Sequence, residues 1–429
     1  MEHCEFRDPI HGFIQVRPFE RKIIDSKPFQ RLRSIKQLSL TYLVYHGAEH
    51  TRFGHSLGVM HLVTRAFRTV CEKNQEYFSD KKKEWYEQIL RLIALLHDLG
   101  HAPFSHGSEE VFPEGKEHEH YTYEIIKTTE IADYINEIGA GFVSKYGDEY
   151  NITPELICSI YSGTNISNPD FIFLNTFMDS ELDCDKMDYL LRDSYYCGVK
   201  YGSYDLDRLL ACLTMYKDHE EGFLKLAIEE GGVQAFEEFV LARYFMFIQV
   251  YFHKTRRYLD LTLVDFLKDT LPAGCYPANI DDYLNYDDGY IWSKIKAKSS
   301  MNQTALKLIN RDIMKCVYQT RTHADRSDQK IYNSICNNLK REFGETNFLF
   351  DSADKMPHKI PRNYDLTDEG VIPIILQHTN MPSTIGEQSH IISTLTERIN
   401  ILRIYTDQSL VGQVCKRVNE MISDLNTPA

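Results

Sequence analysis

Apolar and polar positions follow a helical period over most of the first two-thirds of the chain. Residues 84–96, 185–196 and 233–258 place apolar side chains three and four apart, the spacing that gives a helix one buried face. Residues 162–169, with Gly, Asn and Pro close together, read as a loop. The run TLPAGCYPANIDDYLNYDDG ends the pattern after about residue 268, because its Pro, Gly, Asn and Asp residues favour turns. Helical period returns over about 287–341. Beyond it, NFLFD, the turn-like DEGVIPIIL and SHIISTLTERINILRIYTD predict short strands and a helix. The expectation is a mainly α protein: a large helical domain over residues 1–268, a helical extension over 269–345, and a smaller α+β region over 346–429 that serves regulation or assembly. The chain shows no internal repeat and no low-complexity tract.

Composition narrows the class of protein. At 429 residues and 43% hydrophobic, the chain can bury a sizeable core. No stretch approaches the ~20 apolar residues of a membrane helix, and MEHCEFRDPIHG lacks the pattern of a signal peptide, so a soluble, cytosolic protein with no membrane partner is expected. Ten cysteines without a CxxC pair argue for reduced thiols and against a zinc knuckle. A net charge of −14 disfavours nucleic acid as a partner, since that binding rests on many Lys/Arg contacts to phosphate. Two basic islands remain, Arg31/Arg33/Lys36 and Lys254/Arg256/Arg257. They read either as solvated helix faces or as sites for small phosphorylated ligands.

Chemistry concentrates in three short stretches: RFGHSLG at 52–58, HDLGHAPFSH at 97–106 and DCDKMDYLLRD at 183–193. Together His55, the adjacent His97–Asp98 pair and Asp185 offer two imidazoles and two carboxylates from three helices. That mixed N/O set suits a divalent cation (Mg, Mn, Fe, Co or Zn) and leaves room for water and a substrate oxygen. Neighbouring helical residues point about 100° apart, so His97 and Asp98 share one cation only near a helix end, where Gly100 and Pro103 place it. His61 reads as an ordinary histidine instead of a ligand.

Two helical faces add to the set. From Asp185, the side holding Lys186, Tyr189, Arg192 and Asp193 is polar, as on any surface helix; with Asp185 on the cation, these donors project towards a phosphate. From Arg243, residues Phe247, Tyr251 and Lys254 recur within about 80° of one face. A Phe/Tyr stripe at that spacing suits core packing, but the cations at its ends favour a wall facing a nucleotide.

These motifs resemble the HD-domain superfamily, and in particular its deoxynucleoside triphosphate triphosphohydrolase branch. DPIHGFIQV, IIDSKPFQRLRSIKQL and YHGAEHTRFGHSLGV are similar to that branch nearly throughout, and the close likeness runs over about residues 6–260. The resemblance implies an HD-type helical core and a metal-dependent enzyme that cleaves a dNTP to deoxynucleoside and inorganic triphosphate by attack of water on the α-phosphorus. His55, His97, Asp98 and Asp185 match the metal ligands. His101, His106, His118 and Glu119 match the catalytic polar group, with His106 matching a candidate proton donor to the leaving oxygen. Gln37, Leu38 and Asp193 match sugar contacts, Arg52, Lys186, Tyr189 and Arg243 triphosphate contacts, and Tyr251 an aromatic beside sugar and base.

The resemblance further implies a homo-oligomer, tetramer or dimer, assembled with an activating nucleotide such as dGTP. Asp25, Arg33, Arg208 and Lys254 fall at the corresponding regulatory positions, although Asp25 and Arg33 would equally suit a structural ion pair. Cys4, Arg7 and Glu229 depart from the lysine, asparagine and arginine of the branch's mammalian member. Two alternatives stand beside this reading. One is an HD phosphohydrolase of other nucleotides, a nucleotidase or signalling-nucleotide hydrolase used for instance in phage defence; the other is a non-catalytic nucleotide sensor, whose mark would be a lost metal ligand.

Overall fold

The structure, a computed structural model, describes every residue except 1–3, 165, 167, 219–221, 361–364, 367, 369, 380 and 427–429. Two positions of the expected 162–169 loop and one of the DEGVIPIIL run therefore lie outside the described residues. The protein is mainly α, with a smaller strand-containing C-terminal region.

Its centre is the helix Arg52–Lys73. Phe53, Leu57, Met60, Val63, Phe67 and Val70 recur three and four apart, and Val59, Leu62 and Ala66 beside them are also buried. A helix apolar on more than one face must be wrapped by others. Helices Asp80–Leu96 and Cys184–Cys197 pack against it. Each begins on a capping side chain: the Ser79 hydroxyl accepts from the Lys82 amide, and the Asp183 carboxylate from the Lys186 amide at 2.8 Å.

Strands also occur inside the part expected to be helical. β1 (Cys4–Asp8) and β2 (Gly12–Val16) form an antiparallel hairpin, while β3 (Leu213–Lys217) and β4 (Leu224–Glu229) form a second. β4 then pairs in parallel with β7 (Pro373–Ile375), which pairs with β8 (Pro382–Thr384). A six-residue strand such as β4, settled partly by a partner some 140 residues away, leaves little local periodicity to read. For the same reason β5 (Lys315–Gln319) interrupts the helix expected over 287–341.

β5 flanks β9 (Ile399–Thr406), and β6 (Phe348–Lys355) pairs along β9's other edge. The almost wholly buried β9 explains the apolar run INILRIY. Ile335 and Leu339 from helix Arg326–Phe343 and Val414 and Val418 from helix Val411–Asn426 cover Leu402 and Ile404.

The helix expected over 233–258 is broken. Val233–Met246 widens into a π turn at Phe247–Tyr251, and a new helix, Lys254–Thr270, follows. The Tyr251 carbonyl released by the break accepts from Arg256. Among the described residues no helix is long and apolar enough to cross a membrane.

Candidate metal centre and substrate cavity

The three helices bring four donor side chains to one point. His55 comes from the first turn of Arg52–Lys73, Asp185 from the first turn of Cys184–Cys197, and His97 and Asp98 from just beyond Leu96, where Asp80–Leu96 ends. The helix end expected at the His–Asp pair is therefore present. His55 Nε2 lies 2.9 Å from Asp185 Oδ1, 3.3 Å from His97 Nε2 and 3.6 Å from Asp98 Oδ2. His97 Nε2 lies 3.4 Å from Asp98 Oδ1 and 3.6 Å from Asp185 Oδ1.

Outer contacts orient these donors. His55 Nδ1 lies 2.8 Å from Asp188 Oδ2, His97 Nδ1 2.8 Å from the Ala94 carbonyl, and Arg52 donates to Asp98 Oδ2 at 2.6 Å. Both imidazoles thus present Nε2 to the common point, the arrangement a bound divalent cation needs. Burial disfavours charge here, but the surrounding charges outweigh it. Asp185 and Asp98 are held well below the usual carboxylate range, Asp185 by His55 and His97, and Asp98 by Arg52, His97 and His101. His55, buried but facing Asp185, Asp188 and Asp98, is pushed up to about 10. Three or four anionic and imidazole donors crowded at this distance fit a divalent cation.

A second polar group adjoins the first. His101 Nε2 lies 3.1 Å from Asp98 Oδ1, and its ring stacks on His118 with centroids 4.0 Å apart. Glu109 Oε1 lies between His106 Nδ1 at 2.8 Å and His118 Nδ1 at 3.0 Å. Glu119 Oε2 lies 3.3 Å from His118 Nδ1. Burial, Arg52 and His118 keep His101 neutral, whereas Glu109 and Glu119 raise His118 against its own burial. The loop that carries this group is strained, with Phe104 and Ser105 at φ of 62° and 50°. At Gly100 a Cβ would stand 2.0 Å from the His118 carbonyl, so only glycine lets helix His118–Thr128 approach.

His97, Asp98 and Asp185 of the first group and His101, His106, His118 and Glu119 of the second line one cavity of about 1510 Å³. Gln37, Leu38, Lys186, Tyr189, Asp193, Arg243 and Tyr251 line the same cavity. Asp193 is fixed from two sides, by the Tyr251 hydroxyl at 2.7 Å and by His50 Nε2 at 2.8 Å. Lys186 is paired with Asp183, and Arg243 donates to Glu181 at 3.2 Å and to the Pro357 carbonyl at 2.6 Å.

Several expectations need correction. Arg192 does not face the phosphate region: its guanidinium is spent on Asp188 at 2.7 and 2.9 Å and on Asp8 at 2.8 Å. Lys254 leaves the Arg243–Phe247–Tyr251 stripe, because the π turn and the break after it shift the helical phase. Asp25 and Arg33 do not pair with each other: Asp25 lies 3.4 Å from Arg21, and Arg33 donates to Gln30 at 2.9 Å. Asp25, Arg33, Arg208 and Lys254 are all exposed and lie outside the cavity wall. His61 is away from the metal centre, 5.4 Å from the His11 ring.

The sequence reading passed over His50, Glu109, Glu181 and Asp188. A signal existed for two of them: His50 sits inside YHGAEHTRFGH, and Glu109 follows His106 by three residues. Asp188 is also the i,i+4 partner of Arg192.

Comparison with known proteins follows these features. A family model described as HD domain matches residues 52–160, and one described as HD associated region matches residues 204–425. Asp185 falls between the two. The chain is 30% identical over 434 residues to the uncharacterized protein YwfO of Bacillus subtilis, covering 96% of this chain and 93% of that one. It is 32% identical over 224 residues to the deoxynucleoside triphosphate triphosphohydrolase SAMHD1 of Danio rerio, covering 48% of this chain and 35% of that one. Among solved structures, a phosphohydrolase from Bacteroides thetaiotaomicron superposes with a TM-score of 0.71 at 26% identity, covering 95% of this chain and all of the other.

Proposed function

Because the chain belongs to the HD-domain family, we propose that this phosphohydrolase cleaves a dNTP to deoxynucleoside and inorganic triphosphate. One observation carries the reading: His97, Asp98 and Asp185, with His55 adjoining Asp185 at 2.9 Å, line a single cavity together with the cations Lys186 and Arg243 and the polar side chains Gln37 and Asp193. Asp193, buried and fixed by Tyr251 and His50, is an acceptor for a sugar hydroxyl. Gln37, whose buried Oε1 has no partner among the described residues, is a second polar contact. A polyphosphate seated on Lys186, Tyr189 and Arg243 puts the α-phosphorus beside His55, His97, Asp98 and Asp185.

A divalent cation held there would polarise a phosphate oxygen and ease deprotonation of water. The remaining steps fall to side chains. Water oxygen bonds to the α-phosphorus as the water gives up a proton to solvent, and the bond to the 5′-oxygen breaks. The leaving oxygen takes a proton from His106, whose ring is set by Glu109, while His101 and His118 with Glu119 line the phosphate. Arg52 reaches the same wall from its bond to Asp98. The exposed positions Asp25, Arg33, Arg208 and Lys254 are proposed for an activating nucleotide at a subunit boundary of a homo-oligomer.

Product analysis with each dNTP and NTP, with Mg or Mn, alone and with dGTP, tests the reading. Deoxynucleoside plus triphosphate supports it, and acceleration by dGTP supports the regulatory part. Monophosphate plus pyrophosphate, or no turnover in any mixture, overturns it in favour of another nucleotide hydrolase or of a sensor.

A further inference from the structure

The cationic part of the cavity is not built by the HD domain alone. Lys355, at the end of β6, and Lys359, four residues on, also line it. The turn between them is docked from below: Arg243 donates to the Pro357 carbonyl at 2.6 Å, and His358 ties back to the Ile392 carbonyl at 3.2 Å and to the Ile360 amide at 3.2 Å. Lys355 Nζ lies 5.7 Å from the centroid of the Phe247 ring, and the Arg243 guanidinium carbon lies 5.6 Å from the same centroid. Lys355 and Arg243 therefore share one aromatic wall.

Their charges are balanced differently. Arg243 has Glu181 and Lys186 has Asp183. Among the described residues, neither Lys355 nor Lys359 has a carboxylate within ion-pair distance, and the nearby Asp354 is engaged by Arg398. Burial at the cavity wall and the proximity of Arg243, Lys359 and Lys186 lower the Lys355 pKa. Like charges gathered at a partly desolvated wall repel one another unless an anion lies between them.

We infer that Lys355 and Lys359 bind the terminal phosphates of the substrate's polyphosphate tail, so that the C-terminal region completes the catalytic cavity. The inference rests on the polyphosphate reading above. It adds a ligand class and a chain segment that the HD motifs do not supply. Among the described residues, the two lysines add two positive charges without an ion-pair partner to a cavity whose Lys186 and Arg243 are already paired. A monophosphate at the metal centre would leave them unused; each further phosphate reaches towards them.

The test is calorimetric titration of the full-length, metal-loaded protein with inorganic monophosphate, pyrophosphate and tripolyphosphate. In the wild type, affinity rises with chain length. In Lys355→Gln/Lys359→Gln, tripolyphosphate binding weakens by about tenfold or more, the usual effect of losing a charge-assisted contact. Metal content and melting temperature stay at wild-type values, and Lys355→Arg/Lys359→Arg recovers the affinity. Wild-type tripolyphosphate affinity in the glutamine variant overturns the inference and leaves the functional reading standing. A wild-type protein that binds all three phosphates equally overturns the inference together with the polyphosphate reading, which product analysis then judges separately.

Discussion

His55 and Asp188 are joined by a 2.8 Å contact between Nδ1 and Oδ2 in a space closed to solvent. Asp188 also meets His11 Nε2 at 2.6 Å and both Arg192 donors, and Arg192 in turn holds Asp8. The β1–β2 hairpin is thereby tied to the orientation of His55, a proposed metal ligand. Asp188→Asn lowers affinity for Mn by about 10–100-fold, the usual effect of losing the partner of a ligating histidine. Arg192 loses half its counter-charge, so stability falls by about 3 kcal/mol. Metal titration and thermal melting check the two effects, and unchanged Mn affinity removes Asp188 from the positioning role.

Of the four proposed ligands, Asp185 is the most separable from folding. Its side chain is 33% exposed, against 1–5% for His55, His97 and Asp98. Asp185→Ala is expected to abolish bound metal and turnover while moving the melting temperature by only a few degrees. Metal analysis on the purified variant decides it; full metal content would exclude Asp185 from the ligand set.

The four donors that the structure brings together were nameable in the sequence because they lie in three short motifs rich in His and Asp, two at helix starts and one at a helix end. The network behind them was not. Gly58 of RFGHSLG shows the difference: a Cβ there would stand 1.9 Å from Asp188 Oδ1, a constraint set by a residue 130 positions away. Lys254 misled because a helical wheel assumes an unbroken period, and the π turn at Phe247–Tyr251 removes it. Lys355 and Lys359 lay more than 150 residues beyond the other phosphate-side lysine, Lys186, in a segment whose docking depends on Arg243. Helices with full periods were readable, whereas β4 and β5 pair with strands remote in sequence, β7 and β9.

The two tasks proposed for Arg243 predict a mixed phenotype. Its NH1 holds Glu181 and the Pro357 carbonyl, while its buried Nε has no partner among the described residues. Arg243→Ala leaves Glu181 without its cation and loosens the Lys355–Lys359 turn, so stability falls by about 3 kcal/mol. The KM for dNTP rises at the same time through loss of phosphate contacts. Melting and steady-state kinetics read the two effects; an unchanged melting temperature would leave only the phosphate role.

Proton release on metal binding follows from the charge on His55. Burial works against the imidazolium, but Asp185, Asp188 and Asp98 raise its pKa from 6.5 to about 10. For the metal-free protein the sign is that of a raised histidine: its stabilising contribution is full below about 6.5 and is lost as pH rises through about 10. A cation needs the neutral imidazole, so uptake near pH 7.5 must expel that proton. Affinity for Mn therefore rises about tenfold per pH unit between 6.5 and 9, and binding releases about one proton. Calorimetric titration in buffers of different ionisation enthalpy measures the number directly. A value near one supports a protonated His55 held between carboxylates; a value near zero means that the three carboxylates share their charge with other donors and leave His55 neutral.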